Sequence, residues 1–81
     1  MSTLQVLSRR GDDRCAWDPQ ALRTGDPEAL AAVREAERIF AEERARGGTA
    51  YVIREGQPPL RVETFDPQAH RIVLVPRVIG G

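Results

Sequence analysis

The stretch from Asp26 to Gly48 constrains the fold most, because it reads as one long amphipathic helix with both ends marked. Asp26-Pro27-Glu28 is a helix start. The Asp26 carboxylate can accept orphan N–H groups, Pro27 suits the first helical position, and Glu28 meets the positive end of the helix dipole. Ala29, Val33, Ala36 and Phe40 fall on one face, flanked by Leu30, Ala32 and Ile39. Arg34, Glu35, Arg38, Glu42 and Arg46 fall largely on the other, as a solvated face, with Glu42 and Arg46 spaced for an i,i+4 ion pair. Gly47-Gly48 supplies the stop. A single apolar stripe must be buried against something, and 81 residues leave room for one domain.

The partner layer is a sheet. Residues 3–8 read as a first strand, and Arg9-Arg10-Gly11-Asp12-Asp13 as a polar turn in which Gly11 can take a positive φ. Residues 14–17 complete a hairpin, and Asp18-Pro19 ends it, since Pro19 has no N–H for a ladder. Residues 49–54 and 60–65 form two strands around the turn 55–59, and residues 71–75 a last strand after the turn 66–70. The expected class is α+β: a mixed sheet of about five strands with one main helix packed across one face. Ile72-Val73-Leu74-Val75 does not alternate, which argues a strand covered on both faces. One helix covers only one face. The second, with Val73 and Val75, is then covered by residues 18–25 or open to a partner. The four aromatics, Trp17, Phe40, Tyr51 and Phe65, supply a large share of a small core, with Trp17 at the end of the sheet near the helix.

Composition narrows the function classes. Twelve basic and twelve acidic residues cancel, so the surplus that displaces counterions from nucleic acid is missing. No run of 18 apolar residues can span a membrane. Met1-Ser2-Thr3-Leu4-Gln5 lacks the basic start and apolar run of a secretory signal, and the one cysteine, Cys15, cannot make an internal disulfide. The expected location is cytoplasmic. All twelve basic residues are Arg, and the chain has no Lys. A GC-rich coding sequence accounts for this; selection against a surface amine is the sharper alternative.

Enzyme constellations are nearly absent. His70 and Cys15 lie in different elements with no third group to orient them, and no spacing fits a metal site or a phosphate-cradling loop. Cys15 reads as a small core residue and His70 as a surface residue. The C-terminal Pro76-Arg77-Val78-Ile79-Gly80-Gly81 is different. Two residues without Cβ can carry a terminal carboxylate through a channel too narrow for any side chain.

The last eleven residues, Arg71 to Gly81, resemble the end of the β-grasp sulfur carriers, the ubiquitin relatives that include the small subunit of molybdopterin synthase and the thiamine sulfur carrier. There an apolar last strand runs into a proline, an apolar residue and a final Gly-Gly; Pro76, Val78, Gly80 and Gly81 match that spacing. The order hairpin, helix, further strands and tail is also similar. The resemblance implies a β-grasp domain over residues 1–77 and a flexible tail over 78–81. It implies a carrier or modifier, not an enzyme, whose Gly81 carboxylate is activated by an ATP-dependent adenylating enzyme, with Gly80 giving access. The activated carboxyl then becomes a thiocarboxylate for a sulfur-accepting synthase, or a thioester that passes to a target protein. Val73, Val75, Val78 and Ile79 would supply apolar docking and Arg77 a polar contact. No metal or organic cofactor is implied on this chain.

Two other classes stand beside this reading. One is a small interaction or structural protein, such as an assembly subunit or phage-like component, with an incidental Gly-Gly end. The other is a small enzyme using Cys15 and His70, which would need a pocket holding both.

Overall fold

The computed structural model describes residues 1–7 and 13–77. Five strands and two helices follow in the order β1 (Ser2–Val6), β2 (Asp13–Trp17), α1 (Pro19–Arg23), α2 (Pro27–Ala45), β3 (Thr49–Val52), β4 (Leu60–Val62) and β5 (Arg71–Val75). They make one mixed sheet of strand order β2-β1-β5-β3-β4. β1 and β5 run parallel at its centre, and the other neighbours are antiparallel. This is the expected α+β layout, a five-stranded mixed sheet with one main helix.

Register sorts the sheet into two faces. Cys15, Leu4, Ile72, Val52 and Leu60 form one cross-strand row, and Asp13, Val6, Leu74, Ala50 and Val62 the next row on the same face. Leu4, Ile72 and Leu74 in these rows are fully buried, each worth about 1.5–3 kcal/mol. Ala36 and Phe40 of α2 complete the cluster from the helix side. An edge of aromatic rings closes it. Trp17 and Phe65 have ring centroids 5.8 Å apart, and Phe65 meets Phe40 edge-on at 5.7 Å.

Both ends of α2 follow their sequence signals. The Asp26 side chain accepts from the Ala29 N–H at 3.1 Å, and Pro27 opens the helix. At the other end the Gly47 N–H donates to the Arg44 carbonyl at 3.0 Å and the Gly48 N–H to the Glu43 carbonyl at 2.8 Å. With Gly47 at φ +90°, these two bonds make a Schellman stop.

Several expectations are corrected. Residues 18–25 hold a helix, α1, in which Asp18 accepts from the Gln20 N–H at 2.9 Å. The Asp-Pro pair that ends the hairpin also starts this helix, and five residues are too few to show a period. Asp13 belongs to β2 and not to the turn, while β3 and β4 stop two and three residues early. Glu42 pairs with Arg38 at 2.8 Å, one turn earlier than expected, and Arg46 reaches Glu43 at 3.5 Å. β5 is not covered on both faces: Val73 is half-buried and Val75 is 38% exposed. α1 packs beside α2 and is tied to the loop before β5, where Arg23 donates to Gln68 at 2.8 Å.

Candidate functional site

The residues expected to meet a partner begin on β5. Alternation turns Ile72 and Leu74 into the core, which sets Val73 and Val75 on the opposite, open face of the sheet. Val73 sits at the centre of a row crossing all five strands: Arg14, Gln5, Val73, Tyr51 and Arg61. Arg71 shares this face two residues earlier and donates to the Gln5 side-chain oxygen at 3.2 Å. The row around Val73 was not legible from the sequence. Tyr51 and Arg61 are marked only by alternation within short strands, and which strands neighbour β5 is a matter of topology.

Past Val75 the chain crosses the end of α2. The Arg77 side chain lies over Gly47 so closely that a Cβ built there would stand 2.9 Å from Arg77 Cδ. Gly48 is tighter still, since its Cβ would stand 2.8 Å from the Glu43 carbonyl oxygen and 3.2 Å from that of Val75. The glycine pair thus ends the helix and also lets the last strand pass close by. Arg77 is exposed, beside the negative end of the helix dipole. Val78, Ile79, Gly80 and Gly81 lie outside the described residues.

Cys15 and His70 are not brought together. Cys15 is half-buried on edge strand β2 and packs against the core, as expected of a small core residue. His70 is exposed just before β5, and β1 separates the two strands, a gap of about 10 Å in strand spacings. A shallow cleft of about 490 Å³ lies between β2 and α2 with Cys15 in its wall. Its charged rim is largely self-satisfied: Arg38 is held by both Glu35 and Glu42, and Arg46 by Glu43. The hydrogen bond from Arg38 holds the Glu35 carboxyl below its ordinary range, and the two carboxylates push the Arg38 guanidinium further up.

No group of three or more His, Cys, Asp or Glu side chains that could hold a metal ion occurs among the described residues. No helix there is long and apolar enough to cross a membrane. Compared with known proteins, the chain matches no family model, no curated sequence and no solved structure.

Proposed function

We propose that this chain is a β-grasp, ubiquitin-like carrier or modifier whose Gly81 carboxylate is activated by a partner enzyme. The observation that carries the reading is the path of β5. It is the central strand, paired in parallel with β1, and it leads directly through Pro76 and Arg77 toward Val78-Ile79-Gly80-Gly81. A rigid central strand holds the root of the tail, and side-chain-free residues follow it. The strand order and the single main helix across one face support the β-grasp assignment.

In this reading residues 1–77 form the domain and 78–81 the tail. A carboxylate oxygen of Gly81 attacks the α-phosphorus of ATP on the adenylating enzyme, and pyrophosphate leaves. Hydrosulfide, or a cysteine thiolate of a partner enzyme, then attacks the acyl carbon and AMP leaves with the bonding pair. The product is respectively a thiocarboxylate, or a thioester that passes to a target amine. Gly80 keeps the approach clear, while Val73, Val75, Val78, Ile79 and Arg77 dock the partner. The chain supplies no catalytic residue and no cofactor. With no Lys, an amide-forming modifier of this sequence could not build chains through its own side chains.

The open sheet face favours a second reading, a small non-enzymatic interaction protein with an incidental Gly-Gly end. Intact-mass analysis of the protein isolated from its own host separates the two. Exchange of one oxygen for one sulfur at Gly81 identifies a sulfur carrier, and an isopeptide-linked ladder identifies a modifier. A Gly81 carboxylate that stays unmodified, or residues beyond Gly81, would leave the interaction protein.

A further inference from the structure

We infer that the open face of the sheet docks an acidic protein segment with an apolar centre. The chain as a whole is neutral, yet its charges are segregated. The five strands contain one acidic residue, Asp13, and its register position is opposite Val6, in a row of the other face. The open face carries Arg14, Arg61 and Arg71, all exposed. None of the three is ion-paired among the described residues; on the helix side Arg38 pairs with Glu35 and Glu42, and Arg46, just past α2, with Glu43, while Arg34 has no such pair. Exposed arginines with no carboxylate partner among the described residues are the complement of carboxylates on something else.

The arrangement defines the occupant further. Arg14 on β2 and Arg61 on β4 stand at the two ends of one row, four strand spacings or about 19 Å apart. Arg14 also borders the cleft beside α2, so it marks one margin of the face. Between the two ends lie Gln5, Val73 and Tyr51, with Arg71 one step along β5 and the exposed Val75 beyond. Gln5 is 7% exposed, so the reachable centre is the half-buried Val73 and Tyr51; with a guanidinium at either margin it fits a segment that carries apolar residues in its middle and carboxylates at its ends. About six extended residues span that distance. Nucleic acid is the poorer match: the chain has no basic surplus, and Tyr51 is the one aromatic on this face among the described residues and is half-buried. The inference shares Val73 and Val75 with the docking role given them above but does not rest on activation of Gly81, which intact mass tests separately.

The test is an amide NMR titration with a synthetic peptide of about six residues, apolar in the middle and with glutamates at both ends. Its arms are the same peptide with lysines for glutamates, and single-stranded oligouridylate. Shifts are expected at Gln5, Tyr51, Val73 and their neighbours, with the glutamate peptide alone, and they should weaken with salt. Replacing Arg14, Arg61 and Arg71 together by Gln should weaken binding about tenfold, the sum of three exposed ion pairs. Should that variant lose its amide dispersion, Arg61→Glu alone serves, with loss of the glutamate peptide and gain of the lysine peptide expected. No shifts at millimolar peptide, shifts centred on α2, an unchanged affinity in the variants, or tighter binding of the oligouridylate would each overturn the inference.

Discussion

The indole N–H of Trp17 donates to the carbonyl oxygen of Pro67 at 2.8 Å, joining edge strand β2 to the loop before β5 across 50 residues of sequence. The same ring is 2% exposed and packs on Phe65, which in turn meets Phe40 of α2. One side chain therefore ties together the hairpin, the helix and the approach to the central strand. Trp17→Ala is expected to cost about 3–5 kcal/mol, a large part of the stability of so small a domain. Trp17→Phe keeps most of the packing and loses the hydrogen bond, for a cost of about 1–3 kcal/mol with the Pro67 carbonyl unsatisfied. Urea denaturation measures both, and an unchanged midpoint for Trp17→Ala would show that the ring is not structural.

The cap on α2 gives a second expectation. Asp26→Ala removes the acceptor of the Ala29 N–H and should cost about 0.5–2 kcal/mol. Asp26→Asn keeps an acceptor and should cost less. Equal losses for the two variants would mean that the side-chain cap does not matter.

At the other end of α2, the two glycines should respond differently to a methyl group. Gly47→Ala forces an L-residue to φ +90° and about 1–2 kcal/mol of strain, but the close atom is the flexible Arg77 side chain, which can move. Gly48→Ala meets two backbone carbonyls, of Glu43 and Val75, and these cannot move without disturbing the helix stop and β5. Gly48→Ala is therefore expected to be the more damaging, although Gly47 carries the unusual φ. Thermal melts of the two variants check the order.

The Glu35–Arg38–Glu42 triad yields a pH signature. Hydrogen bonding by Arg38 favours the charged form of Glu35 and lowers its pKa. A depressed carboxyl contributes stability above its unfolded pKa and loses it as the pH falls through the folded value. Arg38→Gln should return the Glu35 carboxyl to its ordinary range, as read by carbon-detected NMR titration. High salt should shrink the difference, because the residues are exposed. An unshifted Glu35 in the wild type would contradict the pairing.

Much of this fold is written locally. Asp26-Pro27 and Gly47-Gly48 bracket α2 because both signals act within one turn of helix, and the apolar spacing between them names Ala36 and Phe40 as core. α1 escaped because Asp18-Pro19 serves two elements at once. The run Ile72 to Val75 misled for a related reason. Apolar content alone does not say which face is covered, and the half-buried Val73 stands in register between Gln5 and Tyr51, neighbours set by topology. The site divides the same way. The tail motif and Val73 are visible in the sequence, whereas the arginines around Val73 converge only when β2, β1, β5, β3 and β4 are laid side by side.

The central claim is that the Gly81 carboxylate, at the end of a side-chain-free segment, is the reactive group. ATP–pyrophosphate exchange with the cognate adenylating enzyme, comparing the wild type with a chain lacking Gly80 and Gly81, measures this most directly. The shortened chain ends in Ile79, whose β-branched side chain cannot enter a channel shaped for glycine. The expected result is loss of exchange with a melting temperature close to the wild type, since the deletion leaves every core residue in place. Exchange at the wild-type rate from the shortened chain, or full complementation by it in the native host, would contradict the claim.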